Sequence, residues 1–213
     1  IFIALAGDKT MSLIFKKIIS SIIQIVGFSV IPFIWWANTA HKECEFFEWL
    51  GFKRIPEAKR RKTVIWTAGI TIAFLLLSVF ILKILQDVNT AGSEFSGLGI
   101  KATPSILIYA ILSTALPEEI FFRGFLLKRV SNRFGFAAGN IVQALVFGLL
   151  HGVMFFSSVG VIKAIVITLF TGLVGWLMGY VNERIADGSI LPSLIIHSLA
   201  NIFTGLFSAF FMN

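Results

Sequence analysis

Six residues in this chain could act together as a hydrolytic centre. They are Glu118, Glu119 and Arg123, then His151, then His197 and Asn201. A carboxylate and an imidazole are the usual groups for moving a proton to or from water. Donors such as an imidazole N–H or an amide N–H can stabilise a developing oxyanion. Glu119 and Arg123 are spaced i, i+4, one helical turn apart on one face, so Arg123 can neutralise Glu119. Glu118 is rotated by about 100° on an α-helix, points elsewhere and needs another partner. His197 and Asn201 are also i, i+4 and can face one cavity. Pro117 removes a backbone donor just before the glutamates and is expected to open the helix locally.

The elements around these residues are apolar. The chain has 213 residues, 57% hydrophobic and only 14% charged, with a mean hydropathy of +0.90. A soluble domain carries about 25% charge. This composition excludes a disordered chain and predicts an all-α, polytopic transmembrane helix bundle in a single domain over residues 1–213. The apolar runs predict about six spans: 18–36, 63–86, 104–127, 136–156, 161–181 and 190–211. The active site is expected in the membrane core between spans three, four and six. Residues 1–62 hold the first span and a basic segment, and 104–213 the motif-bearing core. Residues 1–10 precede Met11, which reads as a natural start, so they are expected to be an upstream extension or a cloning remnant. The run from Ile18 to Trp36 is longer than the apolar core of a signal peptide and reads as a retained span.

The net charge of +7 clusters between the apolar runs, as in cytoplasmic loops of membrane proteins. No nucleic-acid partner is expected. Segment 37–62 mixes Lys42, Lys53, Arg54 and Lys59 to Lys62 with Phe46, Phe47 and Trp49. That mixture suits contact with anionic lipid headgroups. Segment 37–62 and Lys128, Arg129 and Arg133 are expected in the cytoplasm, with loop 87–103 and both termini on the other side. Lys9, Lys16 and Lys17 argue against this and are outnumbered. Gly175 and Gly179 form a GxxxG pair, which predicts close helix packing and marks a candidate homodimer contact. The single cysteine, Cys44, excludes an intrachain disulfide.

Depth ties the polar residues together. At 1.5 Å per residue from the cytoplasmic ends, Glu118 lies roughly 15 Å deep, His151 roughly 22 Å, His197 roughly 10 Å and Asn201 roughly 16 Å. Three helices thus place polar groups in one layer of the core. Ionisable groups at such depth are functional hypotheses by default. Serine-nucleophile and paired-aspartate chemistries fit poorly. No Gly-x-Ser-Gly is present, and Asp8, Asp87 and Asp187 are placed outside the spans.

Glu118-Glu119-x-x-x-Arg123, Phe147-x-x-x-His151 and His197-x-x-x-Asn201, in this order, resemble the motifs of the CAAX prenyl protease 2 family, also called CPBP or Abi. That family includes the type II CAAX endopeptidases. The resemblance covers roughly residues 104–213. It implies an intramembrane endopeptidase acting on a membrane-associated peptide or protein, lipidated or not, in a prokaryotic cytoplasmic membrane. Glu118 would be the general base with help from His151, His197 and Asn201 would bind the oxyanion, and Glu119 would pair with Arg123 in support. The favoured chemistry uses no cofactor. The alternative is zinc on Glu118, His151 and His197. Two other functions compete. One is a non-proteolytic regulator or scaffold binding another membrane protein. The other is a transporter or proton relay. A cavity open to the cytoplasmic side would suit cleavage near the inner leaflet.

Overall fold

A computed structural model describes residues 2–85, 88, 90 and 92–212, with side chains from residue 10 onward. Ile1, Asp87 and Asn213, which figure in the sequence reading, lie outside the described residues. The described residues are helical throughout, without a strand. The helices are α1 (Phe2–Thr39), α2 (Phe46–Leu50), α3 (Glu57–Ile84), α4 (Gly99–Phe134), α5 (Phe136–Val159), α6 (Val161–Ile185) and α7 (Leu191–Phe211). All except the five-residue α2 are long and apolar enough to cross a membrane, with the first such stretch at Thr10–Thr39. These spans fall where the hydropathy places them. Helix α4 starts at Gly99, earlier than the expected 104, after a short 3-10 turn at Ser93–Phe95. Asp187 lies in the connection after Ile185, and Asp8 precedes Thr10.

The surface is inverted relative to a soluble protein. Ile22, Ile23, Val26, Leu76, Phe80, Leu145 and Leu169 are exposed, as the lipid-facing side of a span should be. The buried set includes Lys17, Ser21, Glu119, Arg123, Asn140, Gln143 and His197. Helix α4 is the central element. Half of its most apolar window is buried, against 11–33% in the other spans.

Helix α4 is also irregular. It starts with Pro104 in its first turns and widens to π geometry over Ile108–Ala115 and again over Ile120–Leu127. The four residues Leu116–Glu119 between them are α-helical. Pro117 supplies the cause expected from the sequence, since it cannot donate to the helix ladder. Such π segments are frequent at functional sites.

Three connections meet at one end of the bundle. The Gly51 carbonyl accepts from the Ile190 N–H at 3.0 Å. Gly51 has φ +99°, and a Cβ there would lie 2.5 Å from the Gly188 carbonyl oxygen. Only glycine meets both demands. Lys128 donates to Glu183 at 2.8 Å and to the Gly188 carbonyl at 2.7 Å. Lys59 binds Asp187. That hydrogen bond, with the charges of Lys59 and Lys53, holds the Asp187 carboxyl below its ordinary range. These contacts fix the ends of α4 and α7, which carry the candidate catalytic residues.

Helices α5 and α6 approach most closely through small residues. A Cβ on Gly148 would lie 2.5 Å from the Thr168 carbonyl oxygen. Gly175 faces Arg123 and Phe147, and Gly179 faces Asn140 and Gln143. Gln143 donates to the Gly175 carbonyl at 2.9 Å, and Asn140 to the Trp176 carbonyl at 3.0 Å. The close packing expected of the GxxxG pair is therefore within the chain. Both glycines are buried against α4 and α5.

Gly148→Ala is expected to destabilise by about 1–3 kcal/mol, because backbone rather than a flexible side chain must yield. Gly27 has nothing within 4 Å of a built Cβ, so Gly27→Ala should be neutral or slightly stabilising. Thermal unfolding of both variants in one detergent checks this, and equal melting temperatures would contradict it.

Candidate active site

The four residues with proposed chemical roles line one cavity. Glu118 comes from α4, His151 from α5, and His197 and Asn201 from α7. The cavity has a volume of about 480 Å³. Glu119 and Arg123 are fully buried behind it.

The neighbouring glutamates have different environments. Glu119 Oε1 accepts from Arg123 Nη1 at 2.9 Å and meets His197 Nδ1 at 2.9 Å. A carboxylate oxygen offers only lone pairs, so Nδ1 is the donor. The i, i+4 pair read from the sequence is present, and His197 joins it from a helix 78 positions further along the chain. His197 thus does more than share a face with Asn201, because its ring is oriented by Glu119. Its Nε2 faces Glu118 Oε2 at 3.7 Å, too long for a hydrogen bond. Glu118 Oε2 is buried with no hydrogen-bond partner, and so is Asn201 Nδ2. Both are polar atoms held ready without a protein partner.

Phe147 explains its place in the motif. Its carbonyl oxygen lies 2.9 Å from His151 Nδ1. A carbonyl only accepts, so Nδ1 carries the proton and Nε2 is left with its lone pair. The Phe147 ring takes the Arg123 guanidinium on its face at 4.2 Å. The same ring contacts His151 at 4.5 Å and His197 at 5.9 Å. One aromatic side chain thereby packs against Arg123 and both histidines. At the start of α7, Asn182 donates to Ser193 Oγ at 2.6 Å and accepts from its N–H at 3.2 Å. This sets the rotation of α7, and with it the facing of His197. Neither Asn182 nor Ser193 stood out in the sequence, because short polar residues near a helix start carry no specific signal.

Zinc on Glu118, His151 and His197 was the alternative chemistry. Among the described residues, no three His, Cys, Asp or Glu side chains are grouped to hold a metal ion. This donor set does not fit zinc, and no step is derived through it.

The cavity extends from Glu118 past Ser113 and Thr204 to Ser208, Met212 and Gly92. That end lies opposite the basic connections. On the charge-based orientation it is the non-cytoplasmic end.

Residues 101–203 match the family described as type II CAAX prenyl endopeptidase, Rce1-like. The chain carries an Rce1-like family domain. The match takes in all six motif residues and leaves out α1, α2 and α3. No curated protein and no solved structure matches the chain. The Rce1-like domain thus supplies the whole polar cluster, while the segment before it supplies part of the cavity wall through Lys17, Ser20 and Gln24.

Arg123→Met leaves Glu119 buried without its cation and is expected to cost about 3–5 kcal/mol. Glu118→Gln removes a buried charge that has no hydrogen bond at Oε2, so it should unfold at or above the wild-type temperature. Thermal unfolding in one detergent separates the two, and a Glu118→Gln variant as fragile as Arg123→Met would refute this division.

Proposed function

We propose that the chain is an intramembrane endopeptidase that hydrolyses a peptide bond with a glutamate-activated water. One observation carries the reading. Of two adjacent glutamates, Glu119 is fully buried and engages both Arg123 and His197 through Oε1, while Glu118 has no hydrogen-bond partner at Oε2 and stands at a cavity shared with His151, His197 and Asn201. A purely structural acidic pair has no need to present one carboxylate to a cavity.

The residues divide the reaction as follows. Water sits between Glu118 and His151 Nε2, both of which accept. Glu118 takes one proton as the water oxygen bonds to the carbonyl carbon. The oxyanion is held by Asn201 Nδ2–H, with the His197 ring beside it. As the C–N bond breaks, Glu118 returns that proton to the leaving nitrogen, and the new hydroxyl passes the water's second proton to His151 Nε2, giving an amine and a carboxylate. Glu119 and Arg123 touch no reacting atom. They orient His197 and keep the second carboxylate from competing for the proton. The scaffold alternative predicts a function indifferent to Glu118.

The substrate is a membrane-associated peptide or protein. A second, mostly apolar cavity of about 160 Å³ shares His151, His197 and Asn201 and is walled by Phe74, Phe155 and Phe170. Apolar groups flanking the bond fit that wall. The basic segment with Phe47 and Trp49 supports contact with anionic headgroups.

With both proteins in the same lipid and a candidate membrane-peptide pool, mass spectrometry should find products from wild type. Glu118→Gln should lose them by at least about 10³-fold, and exhaustive chelation should leave wild type active. Identical product profiles from the two proteins would favour the scaffold reading. Orientation is tested in a Cys44→Ser background. An impermeant maleimide added to intact cells should label Ile100→Cys and spare Arg61→Cys, and the reverse pattern would turn the protein over.

A further inference from the structure

Besides Glu118, Lys17 is the only Lys, Arg, Asp or Glu among the described residues that line the catalytic cavity. It lies on α1, outside the matched family segment. The hydrolytic reading assigns it no task. An ammonium inside a membrane span is expensive unless something compensates it. Lys17 is 8% exposed. Its ammonium pairs with Glu94 at 2.8 Å and stands 5.3 Å and 5.0 Å from the rings of Phe95 and Tyr109.

The pair is asymmetric. The Lys17 side chain is 10% exposed, against 54% for Glu94. Two rings hold the ammonium in place, and the carboxylate is the member that can turn out to water. The position is fixed further along the backbone. The Lys17 carbonyl accepts from Ser21 Oγ at 2.7 Å and from Ser113 Oγ at 3.3 Å. Ser21 and Ser113 hydroxyls are 2.7 Å apart, which locks α1 against α4. Lys17 therefore lies level with Tyr109 and Ser113, five to nine residues before Glu118 on α4. At 1.5 Å per residue that is roughly 10 Å from the hydrolytic carboxylate, towards the cavity's open end. The wall between them carries Thr114 and Ser113, hydroxyls suited to a bound peptide backbone.

We infer that Lys17 is a specificity residue that binds a carboxylate of the substrate at the far end of the cavity from Glu118. This rests on the hydrolytic reading of the same cavity. An ammonium has three donors, so Lys17 can hold the incoming carboxylate beside Glu94 or in its place. The carboxylate can be a chain end or an acidic side chain, since both offer the same two oxygens.

The test uses the full chain in nanodiscs with Glu118→Gln, so that binding is read without turnover. The probes are one N-acetylated apolar hexapeptide as free acid, the same peptide as C-terminal amide, and the amide with one internal glutamate. Glu118→Gln should bind the free acid at least about tenfold tighter than the plain amide, as a charge-assisted hydrogen bond implies. Adding Lys17→Met should make those two affinities equal. Adding Lys17→Arg, which keeps the charge, should preserve the preference, and so should Glu94→Gln. Tight binding of the internal-glutamate amide would assign the site to acidic side chains, and weak binding of it to chain ends. Equal affinities in Glu118→Gln, no binding of any probe, or a preference that survives Lys17→Met would overturn the proposal. A Lys17-dependent preference with no cleavage by wild type would sink the hydrolytic reading and leave this site standing.

Discussion

Much of this structure depends on one buried carboxylate. Glu119 is fully buried in the middle of the bundle, and it holds Arg123 on its own helix and His197 on α7. A lone carboxylate there would be prohibitively costly, and so would a lone guanidinium. Together they are tolerated only because the geometry is close and the Phe147 ring covers the guanidinium. Such a cluster adds little net stability over apolar packing. It does fix the rotation of α7 against α4, because any other rotation strands a charge. His197 Nε2 is thereby aimed at Glu118, and the Asn201 amide, one turn later, follows.

The adjacent Glu118 can serve chemistry because Glu119 serves structure. Consecutive residues on a helix point about 100° apart, so one carboxylate faces the ion cluster and its neighbour faces the cavity. The π segments on either side of Leu116–Glu119 shift the register of α4 locally. Pro117 lies in the short α-helical stretch between them. Such π segments are frequent at functional sites.

Much of this was legible in the sequence, for physical reasons. A span needs about 20 apolar residues, so α1 and α3 to α7 stand out by hydropathy. The Glu119–Arg123 pair is local and follows from the helical repeat. The shared depth of Glu118, His151 and His197 follows from rise per residue. What was hidden depends on packing between distant segments. The sequence places His197 at a cavity with Asn201, but its bond to Glu119 spans 78 positions. The GxxxG pair predicts close packing, and the residues it packs against, Arg123, Asn140 and Gln143, come from other helices. Lys17 counts in the sequence only as a charge against the expected orientation, since Glu94, Phe95 and Tyr109 converge on it only in three dimensions.

A hydrolase inside a membrane must bring water to a place that excludes it. The chain meets this by turning its polar residues inward while Ile22, Leu76 and Leu145 face the lipid. Ser20, Gln24, Ser113 and Thr114 give the cavity a polar wall on the α1 and α4 side. Phe74, Phe155 and Phe170 give the adjoining space an apolar one, and the two meet at His151, His197 and Asn201. A water molecule is stable along the first wall and not along the second. An apolar segment leaving the lipid prefers the second. On the hydrolytic reading proposed above, Glu118, His151, His197 and Asn201 stand at that boundary, where water and a membrane-embedded peptide bond can each arrive through surroundings that suit them. Polar groups set deeper in the apolar side would receive the peptide without water, and groups nearer the open end would receive water without the peptide.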